Sequence, residues 1–263
     1  MPKTRQPSPG PSKPQAMPSG AGWLPHGYHL DSHTHEQGQL VYAAAGTLAT
    51  TTERGTWVAP ANRVTWTPPG FAHSHRFYGR TDARILTIPL GLCDELVDHP
   101  SVFAVSPLLR EAVLALTDER PEPRPGAHAR LLAVVVDELY DTAEQSLHLP
   151  EPRDDRLRAA TDLLHADPAR PATLTELGRA AGAGERTLSR LFHAELGMSF
   201  HRWRTTLRIH HALAHLANGM SVTDTAMACG WSNPSSFIDA FSSVVGQTPG
   251  SYQAELRDSP TRP

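Results

Sequence analysis

The 263-residue chain lacks several features that mark specialised protein classes. It has only two cysteines, Cys93 and Cys229, far apart in apolar surroundings, which argues against a disulfide framework or a cysteine-based zinc site. No run approaches the roughly 18 apolar residues of a membrane-spanning helix. The N-terminus also lacks the apolar core of a signal peptide. The sequence therefore predicts a cytoplasmic protein without a membrane partner.

A surplus of basic residues is lacking as well. The chain has 24 Lys and Arg against 27 Asp and Glu, a net charge of −3, which excludes a polybasic binder but permits a local DNA-binding surface. Residues 151–263 hold 12 Arg, no Lys and 12 acidic residues. Between Gly219 and Glu255 there is no Arg or Lys at all.

The N-terminal half consists of three segments that differ in composition and periodicity. Residues 1–22, rich in Pro, Ser and Gly, predict a disordered tail. Residues 23–90 have short apolar and Thr-rich segments between turns, which predict a small all-β barrel or jelly roll. Residues 91–150 become helical in periodicity and predict a connector. Its segment Leu131–Leu139 is apolar nearly all round, so it must be buried against its own domain or against a second copy in a homodimer.

The C-terminal part, 151–263, predicts short helices that follow a linker at residues 149–154. Two of its stretches repeat: "LTELGRAAGAGERTLSRLFHAELGMS" and "VTDTAMACGWSNPSSFIDAFSSVVGQT". Their alignment pairs Gly182 with Gly230. Each copy follows the order helix, glycine turn, helix, which is typical of a helix-turn-helix motif.

The two motifs span about 172–197 and 220–246, and each begins with a capping-box pattern. A longer helix, Phe200–Leu216, separates them. The second helices of both copies could therefore enter successive major grooves, roughly 34 Å apart.

The stretches "RTLSRLFHAELGMSFHRW" and "ACGWSNPSSFIDAFSSVVGQTPGSY" carry a family resemblance. About the last 110 residues resemble the DNA-binding domain of the AraC/XylS family of bacterial transcription regulators. The resemblance implies a DNA-binding regulator whose other domain senses a signal or dimerises. Gly184 stands where the family usually has a Ser cap, and Ser242 and Ser243 stand where basic residues are frequent.

Because phosphate neutralisation supplies much of the affinity for DNA, we expect Arg186 and Arg190 of the first repeat to dominate the electrostatics. The second repeat would contribute hydroxyl and helix N-terminus contacts. Arg202 and Arg208 are interpreted as solvating a helix face. The predicted DNA-binding residues are Gly184, Glu185, Arg186, Thr187, Ser189, Arg190, His193, Arg204, Ser232, Asn233, Ser235, Ser236 and Asp239.

The β-rich part resembles a cupin. The matching positions are His33, His35, Gln39 and Gly46 in the first motif, and Pro68, Gly70 and His73 in the second. Gln39 replaces the Glu of the family pattern. Alternation along a strand would place residues 33, 35 and 39 on one face.

Three alternatives remain open for this pocket. It could bind a small organic effector through His33, His35, Gln39, Tyr42, Trp66 and His73. It could hold a divalent metal such as Zn, Ni, Cu or Fe at His33, His35 and His73, or it could be a structural remnant. His26, His29 and His75 are interpreted as exposed or structural.

The sequence thus predicts a two-domain protein: a cupin-like sensor with a helical connector, then an all-α double helix-turn-helix domain. We expect a non-enzymatic transcription regulator that binds double-stranded DNA and a small effector, forms a homodimer and contacts RNA polymerase. A metal-dependent sensor is the alternative. A cupin enzyme fused to a DNA-binding domain, and a regulator set by its own abundance, are further rivals. The missing inward carboxylate counts against the enzyme.

Overall fold

The computed structural model describes residues 19–118, 126–145 and 147–258, which form a β domain followed by a helical domain. This confirms the predicted architecture. The strands of the β domain are β1 (Gly20–Leu24), β2 (His29–His33), β3 (Gly38–Thr52), β4 (Gly55–Pro60), β5 (Arg63–Thr67), β6 (His73–Ile88), β7 (Ser101–Ala104) and β8 (His148–Pro150). All join one antiparallel sheet, along the path β1-β6-β3-β4-β8, with β2 on β6 and β5 between β3 and β7.

The helices fall into two groups, one beside the sheet and one in the helical domain. Those beside the sheet are α1 (Leu90–Cys93), α2 (Pro107–Thr117) and α3 (Ala127–Tyr140). The helical domain has α4 (Asp155–Ala166), α5 (Leu174–Ala180), α6 (Glu185–Leu196), α7 (Phe200–Ala217), α8 (Val222–Ala228), α9 (Pro234–Val245) and α10 (Pro249–Asp258). Within the described ranges, no helix combines the length and apolarity needed to cross a bilayer.

Strand β3 changes the face that it presents halfway along its length. Its register against β6 shifts twice between Ala43 and Thr47. Before the shifts, Val41 faces the apolar cluster on the inner face of the sheet, and after them Leu48 does. At the first shift β3 has one residue more than β6, which reverses the alternation of its side chains, so residues of both parities reach the inner face.

The connector helices cover the outer face of the first half of β3. Leu132, Val135, Val136 and Leu139 of α3 pack with Leu40 and other residues of the sheet. The apolar segment of α3 was predicted to pack against its own domain or against a second copy of the chain. The structure shows it packed against its own domain. Tyr140 is 72% exposed on the same helix, and the homodimer stays a prediction.

Three segments differ from the sequence prediction. Residues 20–22, predicted as part of a disordered tail, belong to β1 and pair with β6, whereas residues 1–18 of that tail lie outside the described part of the chain. Leu149 and Pro150, predicted as linker, belong to β8 and pair with β4. Strand β7 lies in a region predicted to be helical. Such short strands pair with distant partners, so local periodicity does not reveal them.

The helix-turn-helix repeats form as predicted. Thr173 and Glu176 make a reciprocal capping box at α5. Gly182 and Gly230 turn the chain with φ of +67° and +81°, a backbone conformation that suits glycine. The motifs are thus α5 with α6 and α8 with α9, joined by α7.

The cores of the two repeats differ in their partners. Leu188, Phe192 and Trp203 of the first repeat and α7 pack with α4, α5 and Leu149 of β8. Phe237 and Phe241 of the second repeat instead share one cluster with Trp57 and Val58 of β4 and with residues of α7. The second repeat is therefore packed against the β domain.

Candidate ligand site and nucleic-acid interface

Three of the predicted histidines converge at one end of the sheet. His33 ends β2, His35 follows in the connection to β3, and His73 begins β6. One ring nitrogen of each lies within 4.8 Å of the others. The ring centroid of His73 lies 4.4 Å from that of His33 and 4.8 Å from that of His35.

Backbone carbonyls orient the three rings in the same manner. The Nδ1 atom of His33 donates to the carbonyl oxygen of Asp31 at 2.8 Å, and that of His73 donates to Phe71 at 2.8 Å. His35 donates in the same way to the carbonyl of Gln37. A neutral imidazole that donates from Nδ1 keeps a lone pair on Nε2.

The Nε2 atoms of His33 and His35 are therefore acceptors, whereas that of His73 faces the amide group of Gln39. Those of His33 and His35 are buried and have no hydrogen-bond partner among the described residues. Burial lowers the pKa of His73 to about 4 and also lowers the pKa of His35, so both rings are neutral at pH 7. Neutral imidazoles held by second hydrogen bonds are the form in which histidine binds a metal.

Gln39 joins this cluster to a fourth histidine that the sequence interpretation underestimated. The Oε1 atom of Gln39 lies 3.2 Å from Nε2 of His73 and 3.0 Å from Nε2 of His75. His75 is only 1% exposed, and its Nδ1 lies 3.0 Å from the hydroxyl of Thr50. Its position two residues after His73 on one strand was a signal for a shared face.

Two details of the predicted site are wrong. Residues 33–39 do not form one strand, because β2 ends at His33 and β3 begins at Gly38. Tyr42 and Trp66 lie in the core between the sheet and the connector helices, apart from the histidines. Trp66 donates its indole N–H to the carbonyl of Val97.

An open groove lies next to the histidine cluster. Its volume is about 580 Å³, and its walls include Phe71, Cys93, Leu96 and Val97. The turn after β5 separates groove and cluster, and Gly70 in this turn donates its N–H to the carbonyl of His35 at 2.9 Å. A molecule in the groove would therefore touch the same turn that orients His35 and His73.

Helix α6 presents a polar face to solvent. Arg186 and Arg190 are exposed, while Leu188 and Phe192 are buried on the other side. Glu185, Arg186, Thr187, Ser189 and Arg190 line an open concavity of about 700 Å³. Ser232, Asn233, Ser235 and Ser236 are exposed around the start of α9, and Asp239 and Ser243 are exposed further along the helix.

Two arginines have structural partners within the helical domain. Arg204, predicted to bind DNA, is half-buried, donates to the carbonyl of Ala172 at 2.9 Å and lies over the ring of Phe200. Arg208 is 8% exposed and donates to the carbonyl of Pro168. The interpretation that Arg208 solvates a helix face is therefore wrong.

Comparison with known proteins identifies the family to which the chain belongs. The family model of the AraC-like ligand binding domain matches residues 19–200, and that of a helix-turn-helix domain matches residues 177–255. The HTH-type transcriptional regulator NimR of Escherichia coli K12 is 32% identical over 235 residues, which cover 85% of this chain and 82% of that protein. The chain belongs to the AraC family of transcriptional regulators.

Two further proteins are similar to smaller parts of the chain. The HTH-type transcriptional regulator RipA of Corynebacterium diphtheriae is 32% identical over 114 residues, which cover 43% of this chain and 33% of RipA. The crystal structure of the DNA-binding domain of AdpA in complex with a target DNA is similar at 25% identity and a TM-score of 0.38. It covers 40% of this chain and 95% of the AdpA domain.

The family assignment confirms the class predicted from the sequence. As an AraC family member, the chain is a transcription regulator with a helix-turn-helix DNA-binding domain and a ligand-binding domain. The histidine cluster lies in the ligand-binding domain, and the exposed arginines of α6 lie in the DNA-binding domain.

Proposed function

We propose that this AraC family regulator responds to a divalent transition metal bound by His33, His35 and His73. The observation that supports the proposal is the convergence of three imidazoles, one ring nitrogen of each within 4.8 Å of the others, whose Nδ1 atoms donate to carbonyls and whose Nε2 atoms are left for a ligand. In two of the three rings that nitrogen is buried without a partner among the described residues, which is costly unless a ligand occupies the site.

The donor set narrows the choice of metal. Imidazole nitrogens suit Zn²⁺, Cu²⁺, Ni²⁺ and Fe²⁺, whereas Mg²⁺ and Ca²⁺ require oxygen ligands. The nearby Gln39 is uncharged, so the site adds no negative charge to balance the ion. We therefore expect moderate affinity, ordered by the general preference of nitrogen ligands for Cu²⁺.

The proposed site is connected to the DNA-binding domain through shared strands. On β3, Gln39 and Thr50 face the histidines, while Ala49, the neighbour of Thr50, packs in the cluster that includes the second repeat. A ligand that fixes the inner face of β3 therefore acts on the strand that supports the helices. A metal would shift DNA binding to the extent that it prefers one arrangement of the two domains.

A small organic effector is the second candidate ligand. The open groove favours it, because its apolar walls adjoin the turn that orients His35 and His73. Asp94 and Asp98 also line the groove, which would suit an apolar molecule with a positive charge.

At the DNA, we propose that Arg186 and Arg190 neutralise phosphates and that the exposed hydroxyl and amide groups of α9 bind the second groove. Contact with RNA polymerase and the homodimer stay predictions.

The metal proposal is tested on the full-length chain after chelation. Zn²⁺, Ni²⁺ and Cu²⁺ are titrated by calorimetry, and affinity is then measured for the duplex that the protein selects from a random pool. We expect one ion per chain and a metal-dependent change in DNA affinity. The double variant His33→Ala/His73→Ala should lose both, while His29→Ala, which alters an exposed histidine of the same strand, should retain both. Normal metal binding or a normal response by the double variant would exclude the proposal.

A further inference from the structure

We infer that the β domain supports the second helix-turn-helix repeat from behind and that Arg63 is the positioning residue that fixes its DNA-binding helix. This inference concerns the established DNA-binding activity and holds whatever ligand the histidines bind. The second repeat and the β domain share a hydrophobic core. Trp57 and Val58 of β4 are buried in the same cluster as Phe237, Phe241 and Val245 of α9.

Arg63 reaches from the sheet to the end of α9. It is 9% exposed on β5, and its Nη2 atom donates to the carbonyl oxygen of Val245 at 2.9 Å. Val245 is the last residue of α9, and Gly246 ends the helix with φ of +82°. The last carbonyls of a helix lack partners within the helix and carry its negative partial charge, so a guanidinium is a favourable partner there.

The cation at this position comes from outside the helix. The last turn of α9 has no basic residue of its own. Arg63 lies 182 positions earlier in the sequence and belongs to the other domain. A hydrogen bond from a buried charged donor is among the stronger contacts in proteins, so this contact fixes the C-terminal end of α9 relative to the sheet.

A second polar contact joins the same two domains. The hydroxyl of Thr47 on β3 is hydrogen bonded to the hydroxyl of Tyr252 on α10. Tyr252 also contacts the carbonyl of Leu213 on α7, and it is fully buried. The β domain therefore holds both helices that follow the turn of the second repeat, α9 through Arg63 and α10 through Thr47.

The charge distribution explains why the second repeat needs such support. No Arg or Lys occurs between Gly219 and Glu255, so phosphate attraction contributes little to its orientation on DNA. Contacts by hydroxyl and amide groups depend on short, directed hydrogen bonds and therefore on a fixed helix. The β domain holds the end of α9 near Val245 and leaves the exposed end near Ser235 free for DNA.

The experiment is a hydroxyl-radical footprint of the full-length chain on the duplex that the wild type selects from a random pool. Arg63→Met retains the apolar stem but removes the guanidinium. We expect it to lose protection over the half of the site that the second repeat covers, to retain protection over the other half, and to bind about tenfold more weakly. Arg63→Lys, which keeps a cationic donor, should recover most of the lost protection.

Arg76→Met is the matched control, because Arg76 is exposed on β6 of the same sheet. It should give the wild-type footprint. A wild-type footprint for Arg63→Met, or an equal loss over both halves, would overturn the inference. If Arg63→Met does not fold, Tyr252→Phe removes the hydroxyl that contacts Thr47 and must show the same one-sided loss, or the inference fails.

Discussion

The two helix-turn-helix repeats have the same fold but differ in charge and in the source of their core. The first repeat exposes Arg186 and Arg190, and its core is formed with α4 and α7 and reaches the β domain at Leu149 of β8. The second has no basic residue between Gly219 and Glu255, and its core continues into the β domain. We propose that the first repeat attracts DNA and that the second connects DNA to the ligand-binding domain.

The largest expected effect is the loss of stability when a buried ring is removed from the core of either repeat. Phe192→Ala and Phe241→Ala each remove a fully buried ring, so each should cost about 3–5 kcal/mol in free energy of unfolding. Hydrogen exchange shows where the damage lies. Phe241→Ala should speed exchange in β4, which shares its cluster, more than Phe192→Ala, whose cluster includes Leu149 of the neighbouring strand β8. Equal effects on β4 would mean that the second repeat is no closer to the β domain than the first.

The next effect concerns charge. Because each phosphate contact contributes about one to the slope of log affinity against log salt, Arg186→Ala/Arg190→Ala should lower that slope by about two. Ser232→Ala/Ser236→Ala in the second repeat should weaken binding but leave the slope unchanged. Titrations at several salt concentrations measure both. If the arginine variants change neither affinity nor slope, the assignment of α6 as the electrostatic contact is wrong.

Acid should weaken the interface between the domains. His210 of α7 donates to the carbonyl of Leu147 at 3.1 Å, and desolvation lowers its pKa to about 3, with His148, His165 and His211 adding to the effect. The unfolded chain takes up this proton near pH 6.5 and the folded chain does not. The contribution of His210 is thus fully present above pH 6.5 and is lost as pH falls toward 3.

Denaturant unfolding between pH 8 and pH 5 measures this loss. The variant His210→Gln keeps a side-chain donor but does not titrate. It should lose about 1–2 kcal/mol less than the wild type between those pH values. Parallel curves for variant and wild type would show that His210 does not contribute.

The smallest effect concerns the start of each DNA-binding helix. Gly184 begins α6 without a side-chain cap, and a Cβ added there would meet open space. Asn233 begins α9 and accepts from the N–H of Ser235 at 2.8 Å. Gly184→Ser should therefore raise stability, and Asn233→Gly should lower it, each by a few tenths of a kcal/mol. Midpoints of thermal unfolding measure both changes. A loss of stability in Gly184→Ser would refute the capping argument.

Much of the helical domain could be predicted from sequence because its signals are local. Capping residues such as Thr173 and turn glycines such as Gly182 and Gly230 act within a few positions of the chain. Strands β7 and β8 gave no such signal, since each is short and pairs with a distant strand. The contact of Arg63 with Val245 is invisible to periodicity for the same reason.

The sequence predicted which histidines form the cluster but not the strands on which they lie. The motif spacing identified His33, His35 and His73, which the structure brings together. The single strand expected through them is absent from the described residues, and Gln39 reaches the site from the next strand. Tyr42 was misplaced because alternation alone does not show which face of a sheet the helices cover.

We propose that a ligand bound in the β domain acts on DNA through the second repeat. The most direct test is the hydroxyl-radical footprint of the full-length chain on its selected duplex, recorded with chelator and with saturating Zn²⁺. We expect Zn²⁺ to change protection over the half covered by the second repeat and to leave the half covered by α6 nearly constant. Equal changes over both halves, or no change in a chain shown to bind the ion, would contradict it.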